Sequence, residues 1–543
     1  MKVKRNWGAI GRLLRPFLWP CLLLAGLAAA QSAVQVAFSV VTKYVIDAAV
    51  DRNGQLLFWG CALAAAVLLM LLIHVLQSWF SGSMADKCMA RLRHALLAAA
   101  AYSEESRLQA YHSGELLSRG MEDVNTVCDG MFNAIPAVMG QLTRLAGSFV
   151  AVTALCPPLG PVLLAAGAAV AAVSAALRPV IKRRHKEVRQ TEDQVMAAMQ
   201  EDLQQLELIK SLQAEERILG RFQKKLRVGL AAKTRRRRWS VASGTVIGGI
   251  SQVGTGALLL WGAGQVAAGS LSYGALTAML QLLALFRGPV VGLSGQMTKL
   301  TGMEVAAGRL LELLTPKQLN AQAAQVDAHV EAVVFEDVTF RYPSDEVPVI
   351  SHFSITFPLD RWSCLTGVSG KGKSTLFKLM LGLYTPQAGR VYLKTDRGEI
   401  PCGQDTRHLF AYVPQDFALF SGTVEENLLL VAPEAGEEVR RRALHTAHGD
   451  FVWELTHQEQ TQVRENNAGL SKGQIQRLAI ARAVLMERPI FLLDECTSAL
   501  DAHTEAAVLR NLQALGKQAI LVTHRPEAVA ELEQVTFVSM ETE

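Results

Sequence analysis

The chain has 543 residues, of which 50% are hydrophobic and only 19% charged, against about 25% charged in ordinary globular proteins. Residues 1–330 hold 34 Lys and Arg against 20 Asp and Glu, whereas residues 331–543 hold 20 against 29, so a basic apolar half precedes an acidic half of soluble composition. This excludes a disordered chain, a collagen and a small disulfide scaffold, and makes a membrane protein the first reading.

A membrane span needs about 20 mostly apolar residues. Six stretches reach that length: 17–41, 56–80, 131–155, 159–177, 241–265 and 273–296. An even number places both termini on one side. Lys2, Lys4, Arg5, Arg12 and Arg15 precede the first stretch. A signal peptide shares such a basic start, but this apolar run is too long and lacks a small-residue cleavage site, so it reads as a span. Lys87, Arg91, Arg93, Arg107 and Arg119 lie between spans two and three, and residues 178–189 and Arg235 to Arg238 add more cations between spans four and five. The other connections are short, with Arg52 their one clear cation. The positive-inside rule then puts both termini and the two long connections in the cytosol. The Arg235 to Arg238 run reads as a membrane-flanking anchor, and no nucleic-acid partner is expected.

The long connections keep a helical apolar pattern, as in Met199, Leu203, Leu206, Leu208, Ile209 and Leu212. They predict helices running well beyond the bilayer, with a turn at residues 113–119 where Gly114 interrupts. Residues 108–113 and 200–206 fall near the cytosolic tips. The eight cysteines are scattered, with no Cys-x-x-Cys pair, and read as ordinary buried thiols rather than redox or zinc sites.

Residues 298–314 read as helix and 315–330 as a polar linker. Strands and helices alternate thereafter. Residues 333–342 alternate as a strand. Residues 362–366 form a strand feeding Gly367-Val368-Ser369-Gly370-Lys371-Gly372-Lys373-Ser374-Thr375, and residues 376–383 are helical. This is a phosphate-binding loop between strand and helix. Its glycines allow close backbone approach, successive N–H groups and the helix N-terminus cradle phosphate, and Lys373 neutralises the terminal phosphates. Ser374 is expected to offer its hydroxyl to Mg²⁺. Residues 490–493 are a buried strand ending in Asp494 and Glu495. Asp494 is placed to hold the Mg²⁺ shell, and Glu495 to orient the attacking water or accept its proton.

Leu470-Ser471-Lys472-Gly473-Gln474, followed by Gln476-Arg477-Leu478-Ala479-Ile480-Ala481-Arg482-Ala483, resembles the signature of the ABC transporters. Further resemblances are Tyr342 to the adenine-stacking aromatic, Gln415 to the lid glutamine, which would reach both metal and water, and His524 to the switch histidine. Residues 498–501, ending at Asp501, resemble the loop that crosses between two nucleotide domains. In such a pair Ser471, Gly473 and Gln474 would meet the partner's ATP. Residues 417–427 resemble an exporter-type docking surface, Glu465 resembles the acidic cross-linking loop, and residues 113–119 and 200–206 border the regions that would couple to the nucleotide domains. Departures are Lys472 where glycine is commonest, Arg464 for an expected glycine, Cys496 for a small alanine, and little tail beyond the last strand. The start, without a cysteine-protease-like segment, disfavours the leader-cleaving peptide exporters but not peptide export itself.

The resemblance covers essentially the whole chain. It implies an α-helical membrane domain of six transmembrane helices with long cytosolic extensions (1–314), a linker (315–330) and an α/β P-loop nucleotide-binding domain (331–543). The implied activity is ATP hydrolysis, with ATP and Mg²⁺, coupled to export from a bacterial plasma membrane with cytoplasmic termini. The expected partner is a second half-transporter subunit, a homodimer being preferred over a heterodimer. Other readings are an importer built on the exporter fold and an ATP-gated channel or regulatory subunit, against which Glu495 and His524 argue. The spans are Ala-rich and hold almost no formal charge apart from His74 and Arg144, which points to an amphiphilic or apolar cargo such as a drug, lipid or hydrophobic peptide.

Overall fold

The computed structural model describes residues 7–51, 54–103, 105, 111, 113–314, 329–343, 345–367, 372–415, 419–463 and 469–540. Gly370 and Lys371, nearly all of the 315–330 linker, Phe417, Arg464 and Glu465 lie outside them. The chain forms two compact units, Met1–Leu97 with Leu117–Thr315, and Ala98–Leu116 with Pro316–Glu543.

The first unit is helical: α1 (Trp7–Asp51), α2 (Leu56–Ala101), α3, α4 (Leu159–Gln204), α5 (Leu206–Ser211), α6 (Glu215–Ala267) and α7 (Tyr273–Leu314). Helix α3 is a run of segments from Ser113–Ser118 to Ile135–Leu155, with wider π turns at Arg119–Asp123 and Gly130–Ala134. All six predicted spans fall within long helices that continue past the apolar stretch. Among the described residues four helices are long and apolar enough to cross a membrane: Leu14–Asp51, Leu56–Ala101, Glu115–Leu155 and Glu215–Ala267. Helix α2 turns Leu68, Leu71, Leu72, Val75 and Trp79 outward, an apolar face of the kind a bilayer accommodates.

Where α1, α2, α3 and α7 meet, Leu24, Cys88, Leu92, Val127, Phe132 and Leu310 form an apolar core. Charges pin it. Buried Arg119 donates to the carbonyl of Arg309 at 2.8 Å, Arg309 pairs with buried Asp123 at 2.5 Å, and Lys299 pairs with Asp129 at 3.1 Å. At the other end of the spans Asp47 accepts from Ser272 Oγ and the Gly274 amide, each at 3.0 Å. Arg235, from the basic run, pairs with Glu187 at 2.9 Å and so ties α6 to α4.

In the second unit β1 (Val330–Phe340), β2 (Ile350–Pro358), β4 (Ala388–Thr395) and β5 (Gly398–Pro401) form an antiparallel sheet in the order β2-β1-β4-β5. A parallel sheet in the order β11-β3-β10-β9-β6 joins β3 (Trp362–Thr366), β6 (Phe410–Val413), β9 (Ile490–Asp494), β10 (Gln518–Val522) and β11 (Val535–Ser539). Every residue of β9 is buried, as a strand covered on both faces requires. Helices α8 (Lys373–Met380), α9 (Val424–Leu429), α10 (Glu437–Thr446), α11 (Lys472–Leu485), α12 (Ala502–Ala514) and α13 (Pro526–Ala530) follow, with a small β7–β8 pair, Gly422–Thr423 against Gln462–Val463.

Residues 422–463 are held by one buried cation. Arg440 meets Glu459 through two nitrogens at 3.0 and 2.8 Å, donates to the Ala435 carbonyl at 2.9 Å, and pairs with Glu425 at 2.8 Å. Removing one partner of a buried, fully bonded ion pair strands the other charge. Arg440→Met should therefore destabilise the nucleotide domain by roughly 3–5 kcal/mol, read as a lowered melting temperature of the purified protein. Adding Glu459→Leu should recover most of that loss, and a double variant no more stable than Arg440→Met would contradict the stranded-charge account.

Candidate functional site

In an open parallel sheet, ligands bind beyond the carboxyl ends of the strands, and five predicted site residues arrive there. Strand β3 runs into Gly367, β6 into Gln415, β9 ends in Asp494 before Glu495, and β10 leads to His524. Lys373 is buried and its Nζ donates to the Gly367 carbonyl at 2.7 Å, which turns the ammonium back to the end of β3. Gly372, just before α8, has φ +88°, and a Cβ added there would lie 2.9 Å from Val349 Cγ1. Both the left-handed backbone and the lack of space require glycine at that position.

Asp494 is buried, and burial is the largest influence on its carboxyl, raising its pKa above the ordinary value; hydrogen bonds from Ser374 and Tyr412 oppose the rise. Its Oδ1 is buried with no hydrogen-bond partner among the described residues. A hard cation fits this donor set, since it would take the orphaned oxygen and the Ser374 hydroxyl together.

Glu495 sits at φ +49°, a left-handed conformation uncommon for a non-glycine residue, and its amide donates to the Val522 carbonyl at 3.0 Å. Strain of this kind gathers at functional sites. Gln415 Nε2 donates to Glu495 Oε2 at 2.9 Å, and His524 Nε2 lies 2.7 Å from Glu495 Oε1. The structure thus brings two of the three predicted catalytic side chains onto the carboxylate of the third. Tyr342 is half-buried, its hydroxyl 3.0 Å from Thr375 Oγ1, its ring edge-on to Phe340 and Tyr384, with Lys378 Nζ 5.6 Å from its centre.

Ser471 and Gln474 bond reciprocally as a capping box at the start of α11, at 3.2 and 2.8 Å. Lys472 is exposed. A Cβ added to Gly473 would lie 3.2 Å from the Ala499 carbonyl oxygen and 3.3 Å from Leu500 Cδ2, so the signature helix packs backbone-close on the 498–501 loop. Sequence reasoning missed the residue that locks this contact. Buried Gln476 donates to Ser498 Oγ at 3.1 Å and accepts from the Ala499 amide at 3.0 Å. Its place one turn into the signature helix is the signal that could have found it. Asp501 caps α12 through Thr504, whose backbone N–H is the largest influence holding its carboxyl below the usual range. Cys364 and Cys496 are buried, and desolvation pushes both thiols up to about 12. Among the described residues no three His, Cys, Asp or Glu side chains gather as a metal cage.

Comparison with known proteins matches residues 21–290 to the ABC transporter transmembrane region and residues 350–498 to the ABC transporter domain. The chain is 28% identical to the ATP-dependent lipid A-core flippase of Chromobacterium violaceum over 98% of this chain and 93% of that protein. It is 29% identical to a lactococcin transport/processing ATP-binding protein of Lactococcus lactis over 76% of this chain and 58% of the other. Among solved structures, a bacterial Atm1-family ABC exporter with ATP bound superposes with a TM-score of 0.78 over 97% of this chain and 93% of that one, at 20% identity, a likeness of fold.

The two signature positions should separate in an ATPase assay. Lys472 points to solvent, and a cation near triphosphate is not repelled, so Lys472→Gly should change the rate by less than about tenfold. Gly473→Asp should abolish turnover while equilibrium ATP binding by the phosphate loop persists. Lys373→Ala should instead weaken ATP binding itself. Equal effects of the two signature substitutions would refute the assignment of Gly473 as the close-approach position.

Proposed function

Because the chain belongs to the ABC transporters, joining their transmembrane region to their ATP-hydrolysing domain, we propose that two copies sandwich two ATP molecules, each held by one copy's phosphate loop and the other's signature. The protein is an integral-membrane ATPase coupled to transport, of exporter type. Symmetric pairing is the common rule for oligomers, and this one chain carries the motifs both composite sites need. An exposed apolar tip supports a docking role: Met199, Leu203, Leu206, Ile218 and Leu219 border a cavity of about 240 Å³ where α4, α5 and α6 meet. Surface patches of this kind mark interaction sites.

The observation that carries the catalytic reading is Glu495 held between Gln415 and His524. In the proposed cycle Lys373 and the loop amides bind the phosphates. Glu495 orients the attacking water and takes its proton. His524 keeps the carboxylate aimed, and Gln415 closes the site. Ser374, Asp494 and Gln415 would hold Mg²⁺, which when bound neutralises phosphate charge. ATP-driven closure biases the helices toward an outward-open state, and hydrolysis resets them. Amphiphilic cargo, lipid or peptide in class, fits the apolar spans and the kinds of substrate named for the relatives.

Glu495→Gln should leave ATP binding nearly intact but slow hydrolysis about a hundredfold or more, with an ATP-bound dimer accumulating on size exclusion. Wild-type turnover in the purified variant would sink the assignment. Movement of labelled amphiphiles in reconstituted vesicles, with direction recorded, separates exporter from importer and from a gated channel.

A further inference from the structure

The membrane-spanning stretches contain no Asp or Glu at all, yet two arginines lie at the middle of theirs: Arg144 in residues 131–155 and Arg287 in residues 273–296. Contacts between α3 and α7 fix their relative depth. Gly130 packs on Met303, and a Cβ added to Gly292 would lie 2.9 Å from Gln141 Nε2. Climbing from residue 130 to 141 on α3 therefore matches descending from 303 to 292 on α7, an antiparallel register that the shared apolar cluster of Val152 and Leu282 continues. Arg144 faces the level of residue 289. Arg287 is two residues away, roughly 3 Å along the axis at 1.5 Å per residue; it is exposed, with Nη2 3.6 Å from where a Cβ on Gly248 of α6 would lie.

Neither arginine forms an ion pair among the described residues; Arg144 Nε donates to Ser32 Oγ on α1 at 3.3 Å. Around it α1 and α3 run side by side, with Cβ atoms added at Gly140 and Gly147 lying 3.1 Å from Ser32 Oγ and 3.2 Å from Val36 Cγ2. Within this stretch Gln35 Oε1, Gln141 Oε1 and fully buried Ser148 Oγ have no hydrogen-bond partner among the described residues. An unpaired intramembrane cation beside orphaned acceptors is the composition of a ligand site. Polar groups that serve helix packing commonly hydrogen-bond across helices.

We propose that Arg144 receives the anionic headgroup of a transported amphiphile, with Arg287 adding positive charge at the same depth from the α6 side, while the acceptor oxygens of Gln35 and Gln141 take hydroxyl or ammonium donors on that headgroup. The inference rests on the transport reading above and narrows its cargo. Guanidinium binds phosphate and carboxylate alike through charge-assisted hydrogen bonds, so the shared chemistry is an anion on an acyl chain, with hydroxyl or amine groups beside it.

The test uses the full-length protein in nanodiscs of neutral lipid, with tryptophan fluorescence titrated by lysophosphatidic acid, a fatty acid, a monoacylglycerol and an alkyltrimethylammonium of equal chain length. Lysophosphatidic acid should bind at least about tenfold more tightly than the monoacylglycerol, and the alkyltrimethylammonium most weakly. The fatty acid falls with the phosphate if charge alone is read, and between phosphate and monoacylglycerol if the neighbouring donors count. Arg144→Gln should bring the phosphate amphiphile to within about twofold of the monoacylglycerol, Arg287→Gln should weaken it about threefold, and Arg144→Lys should retain most of the preference. Matching melting temperatures guard against misfolding. Equal binding of neutral and anionic amphiphiles by wild type, or a full preference surviving in both Gln variants, overturns the inference. The transport reading fails by a different result, the absence of ATP hydrolysis by the wild-type protein in the same nanodiscs.

Discussion

The Glu495 carboxylate is where the sheet, the motifs and the chemistry converge. Its two oxygens are each engaged, one by Gln415 after β6 and one by His524 after β10, while its own backbone is pinned in a left-handed conformation by the Val522 carbonyl. Holding one carboxylate from two other strand ends demands that β6, β9 and β10 keep fixed parallel register. The continuous burial of β9 supplies that rigidity, because a one-residue slip would exchange the side chains packed on its two covered faces and carry Asp494 away from Ser374. The backbone strain at Glu495 is tolerated because the surrounding sheet determines it from three sides.

A second constraint binds the signature helix to the 498–501 loop. Gly473 leaves no room for a side chain against Ala499, and Gln476 satisfies both Ser498 and the Ala499 amide. Farther along, Arg525 reaches the Leu500 carbonyl at 3.0 Å and Glu505 at 3.1 Å, and Thr497 donates to buried Glu505 at 2.7 Å. The segment directly after Asp494 and Glu495 is thereby tied to the helix that would meet a partner's nucleotide. The glycine at 473 thus has a reason within its own chain, beyond approach to phosphate.

Local motifs were legible because their chemistry is written in contiguous residues. The strand at Trp362–Thr366 and the acidic pair closing β9 stand where the sequence reading set them, while the helix read over residues 376–383 opens three residues earlier, at Lys373, and ends at Met380. What it could not reach depends on contacts distant in sequence. The π turns in α3 leave no periodic mark that separates them from ordinary helix. Gly114 predicts a turn at residues 113–119, yet Ser113–Ser118 is helical. The roles of Gln476 and Arg440 exist only once helices and loops up to 23 residues apart in sequence are packed together. Arg287 passed unnoticed as one cation in an apolar stretch, because only the antiparallel register of α3 and α7 sets it level with Arg144.

The membrane helices show why such polar groups carry information. In water, hydrophobic burial drives helices together, but lipid tails are as apolar as leucine, so association there depends on close packing and on polar contacts between helices. Gly140, Gly147 and Gly292 provide the close packing by leaving room for Ser32, Val36 and Gln141. Polar atoms serving only that packing would be paired, as the Asp47 carboxylate is with Ser272 and Gly274. Gln35, Gln141 and Ser148 keep buried atoms unpaired, and Arg144 spends one donor on a neutral hydroxyl. Retaining a cation and unfilled acceptors at mid-membrane costs stability, and a molecule that supplies an anion and donors at that depth offsets the cost only while it is bound.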